Sequence, residues 1–592
     1  MMNPLHKLSR MAILWSLPAF IILLVVFCVP ILQLFLVSIH APKFSFGSYQ
    51  AFFVQPANVR VLYQTVEISV IATALCVIIG YPTAYLIAIA SNRIRIFLTV
   101  LILVSYLTSF LARTYAWIVI LGDQGLINNL LLDLGLISTP LKLIYTRLAV
   151  YIGILHVMLP MMILPLISVM MGIDKSLMAA ARSMGARPLT AFWRVFFPLS
   201  LPGLRSGSLL VFVICLGFYV TPAALGGLRD TMLSAFIAAQ LKSSTDLAPP
   251  AAAAFILLAA AVVLLSLLGV NLSDAHGQNA KKSRNSGLDR LIRLAPVKRY
   301  LAELLSPRRA KLWKTQLYRS AGKLESSPIA GRVFLATVMF FLLFPGVVVI
   351  IMSFGAGTQL QFPPSGFSLQ WYRSFFGDPS WMDATWTSIQ IGVVVTTLST
   401  AVGTMAAYGL NRSGPRLRGV LTTLGLAPII LPVIVVGIAT YLGLIKLGLI
   451  GSKFGIVLAH TIGATAYVIV IVSATLANFD RRLEEAANSM RAGPLQTLWR
   501  VTLPLIKPGI IGGALFAFLH SFDEIVITYL VGGVTIRTLP LKMYENIRNQ
   551  LDPTIAAVAS LLMLLPILWL LFIYAAWWRS RPKDGWVLSE QT

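Results

Sequence analysis

The chain has 592 residues, of which 57% are apolar and only 11% are charged, and its mean hydropathy is +0.83. A soluble globular protein carries about 25% charged residues, so this composition excludes that class and indicates a membrane protein. The formal charge of +26 could suggest a nucleic-acid partner, but 34 of the 47 Lys and Arg residues fall on one side of the predicted topology. This asymmetry follows the positive-inside rule, so the basicity sets orientation and predicts no nucleic-acid binding.

Apolar runs long enough to cross about 30 Å of hydrocarbon recur along the chain. They predict an all-α polytopic membrane protein with about twelve transmembrane helices, at 12–38, 62–90, 96–121, 148–171, 206–227, 250–270, 333–354, 386–410, 419–446, 455–477, 510–532 and 554–577. The first run is longer than a signal-peptide core of about 7–15 residues, so we expect it to be retained as a helix. The even number of crossings and the basic loops predict that both termini are cytoplasmic.

A basic segment separates two apolar halves. We predict a first repeat at 1–270, a cytoplasmic linker at 271–332 and a second repeat at 333–592. Within the linker, Leu288–Leu305 has apolar residues at helical spacing and could lie on the inner leaflet as an amphipathic helix. A solvated, disordered tether is the alternative interpretation.

The two halves repeat one another. Residues 177–204 and 483–510 align without a gap at an offset of 306, and 15 of the 28 positions are identical. A weaker match joins Gly80–Tyr85 to Gly403–Tyr408. Six spans in each half give both halves the same orientation, which predicts two parallel six-helix repeats with a solute path between them. This layout fits more than one class of transporter.

The repeated block lies between the fourth and fifth spans of each half, on the predicted cytoplasmic side. In its second copy, Leu483–Met490 should form a helix, with acidic residues in its first turn and Asp480 near the N-cap. A turn of small residues and a second short helix follow, and Pro504 and Pro508 are expected to end regular helix. The block therefore predicts a helix-turn-helix elbow that projects from the membrane.

This block resembles the EAA loop of binding-protein-dependent ABC-importer permeases. In that family the loop docks into the nucleotide-binding subunit and transmits its motion to the membrane helices. The resemblance assigns the family's Glu-Ala-Ala and Gly positions to Ala179, Ala180, Ala181 and Gly185 in the first copy and to Glu485, Ala486, Ala487 and Arg491 in the second. The first copy thus lacks the glutamate and the second lacks the glycine, which predicts two unequal ATPase contacts.

Further charged residues belong to the predicted ATPase contact. Glu484 precedes the family glutamate, and Arg194 and Arg500 stand at equivalent places in the two copies. The two arginines could bind a partner's carboxylates bidentately, although a solvated position or a lipid-phosphate contact is an alternative. All three residues are kept as candidates for coupling to the ATPase.

The resemblance implies a type I ABC-importer permease in a bacterial cytoplasmic (inner) membrane. Its expected partners are two ABC ATPase subunits, an external solute-binding protein, membrane lipid and a small-molecule substrate. The sequence contains no phosphate-binding loop, so we expect no cofactor and no enzyme activity in this chain, with ATP and Mg bound by the ATPase subunits. The alternative is a secondary transporter driven by an ion gradient, which would be expected to carry a stronger basic loop than Asn92, Arg93 and Arg95 provide.

The segments after each elbow narrow the resemblance. The motifs TPAALGG, ending at Gly227, and SFDEIVITYLVGG, ending at Gly533, look like those of the two separate permeases of the spermidine/putrescine importer family. The resemblance covers roughly 12–270 and 333–577, and it implies a polyamine or a similar small amine as the solute. Ferric iron, phosphonate and other small solutes remain alternatives, because related permeases carry them.

Ionisable groups inside a membrane span are candidates for function, because each costs about 2.5–3.5 kcal/mol on insertion scales. Asp523 and Glu524 are predicted near the middle of the eleventh span, where they could attract a cationic solute or form structural pairs within the bundle. Their first-half counterparts are Gly217 and Phe218, so an acidic site would be one-sided. Weaker candidates, which core or interfacial partners could equally satisfy, are Glu67, Arg113, His156 and His460.

Aromatic residues could complete a site for an ammonium group. The candidates are Tyr219, Tyr529, Trp117 and Trp386. Aromatic belts at the membrane interface are the alternative explanation for such residues. Tyr219, Tyr529, Trp117 and Glu67 are kept beside the acidic pair as the predicted solute path.

Overall fold

The computed structural model describes residues 15–267, 328–357, 361–549 and 552–579. The helices of the first half are α1 Trp15–Ser38, α2 Gly47–Val54, α3 Pro56–Ile89, α4 Asn92–Leu107, α5 Phe110–Leu121, α6 Leu126–Asp133, α7 Arg147–Met171, α8 Lys175–Ser183, α9 Pro188–Leu216, α10 Val220–Leu225, α11 Leu233–Ser243 and α12 Ala248–Leu267. Those of the second half are α13 Pro328–Ser353, α14 Gln370–Gly377, α15 Pro379–Arg412, α16 Pro415–Ile430, α17 Val433–Lys446, α18 Lys453–Ala477, α19 Arg482–Ser489, α20 Pro494–Phe522, α21 Val526–Val531, α22 Leu539–Asn549 and α23 Thr554–Arg579. The predicted linker, with Leu288–Leu305, lies outside the described residues except for 328–332, which belong to α13.

Among the described residues, eight helices are long and apolar enough to cross a membrane, and two further pairs, α4–α5 and α16–α17, are bent by 91° and 99° at short breaks. Helices α12 and α23 coincide with the remaining two predicted spans. The described residues contain no strand, apart from one isolated bridge between Gly355 and Phe367. The prediction of an all-α polytopic membrane protein is confirmed.

The helices of the two halves correspond at constant offsets in sequence. Helices α3 to α5 match α15 to α17 at an offset of 323, and α7 to α12 match α18 to α23 at an offset of 306. The offset falls between these groups because the first half carries an additional segment that contains α6. The repeat in the sequence is therefore a repeat of the same succession of helices. We call the side of the bundle that carries α8 and α19 the elbow side, and the opposite side the far side.

The first helix of each half packs against the other half. Helix α1 lies against α17 so closely that a Cβ added to Gly443 would lie 2.7 Å from the ring of Pro30. Helix α13 lies against α5 and α7, where the rings of Phe341 and Trp117 are 5.5 Å apart and His156 Nε2 donates to the Leu342 carbonyl at 3.1 Å. The two halves thus exchange their first helices, and these two contacts hold the halves together.

Two predicted spans, 206–227 and 510–532, are not continuous helices. Helix α9 ends at Leu216 and α10 begins at Val220, and in the second half α20 ends at Phe522 and α21 begins at Val526. Asp523 and Glu524 do lie near the middle of the eleventh predicted span, but the helix is interrupted there and both residues lie in the break. Their carboxylates accept hydrogen bonds from backbone N–H groups at helix starts, which stabilises the interrupted backbone.

The second helix of each elbow continues into the bundle as α9 or α20. The expectation that Pro504 and Pro508 end regular helix is therefore wrong, because α20 runs without interruption from Pro494 to Phe522. A turn of π-helix, Leu498–Thr502, comes shortly before these prolines, and the first half has the matching turn. Because a π turn already departs from the i to i−4 pattern, a proline next to it removes less hydrogen bonding.

Candidate functional site

Each elbow begins with a capped helix. Asp174 Oδ1 accepts a hydrogen bond from Ser176 N–H at 2.8 Å, and Asp480 Oδ1 accepts one from Arg482 N–H at 3.0 Å. Hydrogen bonding to the charged form holds the pKa of the Asp174 carboxyl below its usual value. The predicted capping role of Asp480 is confirmed.

Both elbow helices end in the same cap. Gly185 follows α8 with φ +83°, and Arg491 follows α19 with φ +62°. In the second elbow Ala492 N–H donates to the Ala487 carbonyl at 3.1 Å, and the first elbow has the matching bond. This is a Schellman cap, whose left-handed residue is usually glycine. The cap gives a physical reason for the family glycine, and an arginine in this conformation costs about 1–2 kcal/mol.

Glu484 fastens the second elbow to the bundle. Its Oε1 accepts hydrogen bonds from Arg412 Nη2 at the end of α15 and from Thr502 Oγ1 in the π turn. The Arg412 guanidinium also lies 3.4 Å from the centroid of the Tyr408 ring. The side chains of Arg412 and Glu484 are only 18% and 14% exposed, so water screens this ion pair weakly.

The first elbow is held by aromatic packing. The Tyr85 ring lies edge-on to Phe192 at 5.1 Å and to Phe196 at 5.2 Å. Met178, the counterpart of Glu484, packs against the same apolar cluster. The two elbows therefore share a backbone and differ in what holds them to the bundle.

Most of the residues that the resemblance assigns to ATPase coupling are exposed. Ala181, Ala487 and Glu484 are wholly or partly buried, and the exposed residues are Ala179, Ala180, Gly185, Arg194, Glu485, Ala486, Arg491 and Arg500. Met184 and Met490, beside the two caps, are 82% and 78% exposed. The sequence prediction missed these methionines, although their identity in both copies of the repeat was the available signal. Large exposed apolar side chains at equivalent positions indicate a docking face.

A cavity of about 320 Å³ lies between the two halves. All four helix breaks line it, namely Thr108–Ser109, Gly217–Tyr219, Leu431–Pro432 and Asp523–Ile525. Irregular backbone at membrane depth is tolerated only where it is buried in protein or borders a cavity. The breaks therefore mark the centre of the bundle as a place where a solute can meet backbone and polar side chains.

Asp523 joins the two halves at this cavity. Its Oδ1 accepts a hydrogen bond from Ser109 Oγ at 2.5 Å, and its Oδ2 accepts one from Phe110 N–H at 3.0 Å. Ser109 is the N-cap of α5, so the carboxylate lies at the positive end of that helix. Both carboxylate oxygens of Asp523 are thus engaged by the first half.

The pseudo-symmetric contact contains no charge. Gly217 is the counterpart of Asp523 and Pro432 is the counterpart of Ser109. A Cβ added to Gly217 would lie 3.0 Å from the Cα of Pro432, so glycine is required by the close approach of the two backbones. The proline offers no hydroxyl, and the glycine offers no acceptor side chain. One contact of the two-fold pair is therefore a carboxylate hydrogen bond and the other is backbone packing.

Glu524 is held within its own half. Its side chain is mostly buried, and its Oε1 accepts a hydrogen bond from Ile527 N–H at 3.0 Å. His460 braces the same break, because its two ring nitrogens lie 3.0 Å from Ser521 Oγ and 3.0 Å from Thr528 Oγ1. His460 is thus a hydrogen-bonded core residue, one of the two interpretations left open by the sequence. Glu524 faces the cavity without bridging the halves.

Other polar residues of the cavity wall were weighted too low or missed. Arg113 is buried there, and its Nη1 donates to the Val157 carbonyl at 3.4 Å, while its Nε has no partner among the described residues. His520 and Tyr467 also line the cavity, with their ring centroids 5.1 Å apart. An isolated histidine within an apolar helix was the signal for His520.

The two tryptophans of the predicted aromatic wall lie elsewhere. Trp117 packs between His156, at 5.8 Å, and Phe341, at 5.5 Å, and it does not line the cavity. Trp386 is 61% exposed on the outside of the bundle. Neither tryptophan therefore contributes to the wall of this cavity, because Trp117 packs in the contact between α13 and the first half and Trp386 faces outward from α15.

Glu67 also lies away from the cavity lining. Its Oε2 forms a 3.0 Å ion pair with Arg147 Nη1, and Arg147 Nε bonds to Asp230 at 3.0 Å. Glu67 therefore contributes nothing to the wall of this cavity. It is an interfacial group with a local partner, and the partner was not evident from the sequence because it lies on a different helix.

Tyr219 and Tyr529 come together from opposite halves, as expected for a shared aromatic wall. Their ring centroids are 6.1 Å apart, and Tyr544 lies 5.7 Å from Tyr219 and 6.5 Å from Tyr529. We call these three residues the tyrosine cluster. Tyr219 lines the cavity, and Tyr529 and Tyr544 pack against it without lining the cavity themselves.

The family model described as "Binding-protein-dependent transport system inner membrane component" matches this chain twice, at residues 77–282 and 399–583. The chain belongs to this family. As a binding-protein-dependent permease, it is a multi-pass membrane subunit that works with ATPase and solute-binding partners. The two matches confirm the repeat that the elbows indicated.

Similar proteins include permeases of two named systems. The "Spermidine/putrescine transport system permease protein PotB" of Escherichia coli (strain K12) is 35% identical over 191 residues, or 32% of this permease and 70% of that protein. PotB of Haemophilus influenzae is 35% identical over 185 residues, which span 65% of its length. The "Putrescine transport system permease protein PotI" of Escherichia coli (strain K12) is 35% identical over 231 residues, or 38% and 82% of the two chains.

One solved structure is also similar to part of this permease. It is described as the "Crystal structure of a bacterial ABC transporter involved in the import of the acidic polysaccharide alginate". The likeness has a TM-score of 0.36 and 16% sequence identity, and it covers 44% of this permease and 94% of that chain.

Proposed function

We propose that this permease carries a polyamine or a similar small alkylamine through the cavity between its halves. The observation that carries the proposal is the cavity wall, which combines the Glu524 carboxylate with the ring of Tyr219. Carboxylates and aromatic faces are the groups that attract an ammonium cation. The names of the relatives PotB and PotI support the same class of solute.

Glu524 is the acid that we assign to the solute. Both carboxylate oxygens of Asp523 accept hydrogen bonds, one from Ser109 and one from Phe110. A cation that bound to Asp523 would therefore weaken a contact between the halves. The hydrogen bond that Glu524 accepts from Ile527 N–H, in contrast, lies within the second half. A cation can therefore contact Glu524 while the halves stay in place.

Two ABC ATPase subunits dock on the two elbows in this proposal, one on each. The support is the pair of helices α8 and α19, which are exposed and have similar caps. A turn joins each of them to a helix that reaches the cavity. The elbow side is then cytoplasmic, with both termini on that side, and the solute-binding protein delivers the solute to the far side. ATP and Mg are bound by the ATPase subunits, and the membrane is a bacterial inner membrane.

A second candidate solute is an anion such as a phosphonate. Arg113 favours it, because this buried guanidinium faces the cavity and its Nε has no partner among the described residues. A guanidinium binds phosphate-like groups well when two of its N–H groups are free. The two candidates differ in which charged residue of the cavity wall the solute contacts.

Uptake into proteoliposomes separates the candidates. The permease is reconstituted with its ATPase and solute-binding protein, and uptake of labelled putrescine is measured with spermidine or methylphosphonate as the competitor. We expect ATP-dependent uptake that spermidine inhibits, and a KM raised about 10-fold or more by Glu524→Gln, since a charge-assisted contact contributes about 1.5–3 kcal/mol. Glu545→Gln is the matched control, because Glu545 pairs with Arg537 and does not line the cavity. Inhibition by methylphosphonate, or an unchanged KM in Glu524→Gln, would contradict the proposal.

A further inference from the structure

The tyrosine cluster already holds a cation of the protein itself. The Lys242 Nζ lies 3.2 Å from the centroid of the Tyr529 ring. Lys242 belongs to α11 of the first half and Tyr529 to α21 of the second, so this contact crosses the interface. The contact has the geometry of a primary ammonium bound to an aromatic face.

Lys242 is tethered loosely enough to leave. The residue is exposed, and its ammonium forms no ion pair among the described residues. A cation–π contact of an exposed lysine contributes about 0.5–1 kcal/mol, far less than a buried ion pair would. Another ammonium could therefore displace the lysine ammonium at a small cost in free energy.

The neighbouring charge does not oppose such an exchange. Arg548 lies 5.9 Å from the centroid of the Tyr544 ring, so a second cation of the protein faces the cluster from α22. This guanidinium repels the lysine ammonium and an incoming ammonium alike. Replacing one by the other leaves the net charge of the cluster unchanged.

The cluster also lies where an incoming solute would meet it. Tyr219 lines the cavity, whereas Lys242 lies near the end of α11. Helix α11 follows α10, which continues beyond the break the span that α9 begins on the elbow side. The cluster thus connects the far side with the cavity that contains Glu524. Because its rings come from both halves, any movement of one half against the other changes the distance between them.

We propose that the tyrosine cluster is an alkylammonium-binding site on the far side of the cavity, and that Lys242 occupies it until the ammonium of a solute takes its place. This proposal rests on the proposed function for its solute class. While no solute is present, the lysine ammonium covers the face of the Tyr529 ring. Displacement of the lysine by a solute amine is then the first contact of the solute with both halves.

Acylation of Lys242 tests the exchange directly. The purified permease is treated with an amine-reactive ester, and the acylation rates of Lys242 and of exposed Lys43 are read by mass spectrometry, with and without tetramethylammonium chloride. This quaternary cation binds aromatic faces and cannot react with the ester, and sodium chloride at equal concentration is the control for ionic strength. We expect Lys242 to react about two- to fivefold more slowly than Lys43, as the energy of the contact requires, and tetramethylammonium to remove the difference.

Variants of Tyr529 complete the test. Tyr529→Leu should abolish the protection of Lys242, whereas Tyr529→Phe, which keeps the ring, should retain it. Equal rates at Lys242 and Lys43 in the unmodified permease, or protection that tetramethylammonium leaves unchanged, would overturn the proposal. If Lys242 is displaced as expected but the permease does not take up putrescine, the ammonium-binding site stands and the proposed solute is wrong. The two failures can therefore be distinguished.

Discussion

Equivalent residues of the two halves perform different tasks. Asp523 accepts two hydrogen bonds from the first half, while its counterpart Gly217 allows two backbones to approach closely. A carboxyl group in a membrane span suggests solute binding when it is met in the sequence alone. The structure instead gives Asp523 a role in holding the halves together, and Glu524 is the residue that we propose for the solute.

Removal of the Asp523 carboxylate should destabilise the protein. Asp523→Ala leaves the Ser109 hydroxyl and the Phe110 N–H without their acceptor, which costs about 1–3 kcal/mol in the free energy of unfolding. Denaturation of the purified permease in mixed micelles measures this loss. Asp383→Ala, at an exposed position of α15, is the matched control and should have little effect. Equal losses in the two variants would contradict the structural role.

The left-handed residue of the elbow cap makes a second prediction. Arg491→Gly should relieve the strain at φ +62° and stabilise the cap by about 1 kcal/mol. Hydrogen exchange of the Ala492 amide, which closes the cap, should become about fivefold slower. The reciprocal variant Gly185→Arg should speed exchange of the Ala186 amide in the first elbow. Unchanged exchange in both variants would show that the cap stores no strain.

At the scale of elements, the two elbows have one backbone and two kinds of attachment. Charged hydrogen bonds through Glu484 hold α19, and aromatic packing around Tyr85 holds α8. The repeated sequence predicted the elbows because 15 of the 28 aligned positions are identical, among them the prolines that follow each turn. The attachments could not be predicted in the same way, because Glu484 and Arg412 are 72 residues apart and lie on different helices.

Substitutions at Glu484 and Glu485 of α19 should separate the attachment of this helix to the bundle from its contact with the ATPase. Glu484→Ala removes the contacts to Arg412 and Thr502, so hydrogen exchange in α19 of the isolated permease should rise. Glu485→Ala removes an exposed side chain, so exchange should stay unchanged while binding of the ATPase weakens. Increased exchange in both variants, or in neither, would contradict this division.

The helix breaks mark the limit of prediction from hydropathy. The residues on both sides of each break are apolar, so a window of about 19 residues reads a bent pair of helices as one span. The break at Asp523 is stabilised by Ser109, which is 414 positions away in the chain. The acidic pair could thus be found from the sequence as an anomaly within a span, but its division into a structural and a solute-facing residue required the fold.

At the scale of the whole molecule, the two halves meet around the cavity and exchange their first helices. The exchange places α1 against the second half and α13 against the first. The contact between Asp523 and Ser109 and the tyrosine cluster both cross the interface near the cavity. We propose that transport requires movement of one half against the other at this place.

A reversible disulfide across the interface tests that claim. Ser109→Cys and Asp523→Cys are combined after replacement of the three natural cysteines, Cys28, Cys76 and Cys215. The matched control is the pair Thr114→Cys and Thr221→Cys, whose hydroxyl oxygens are 2.8 Å apart within the first half. Each variant is compared with itself before and after reduction, so any effect of the substitutions cancels.

The measurement is ATP-driven uptake of labelled putrescine into proteoliposomes that contain the permease, its ATPase and its solute-binding protein. Oxidation of the pair at 109 and 523 should stop uptake, and reduction should restore it, whereas oxidation of the pair at 114 and 221 should leave uptake unchanged. If the disulfide-linked permease takes up putrescine as fast as the same permease after reduction, movement of the halves at the cavity is contradicted.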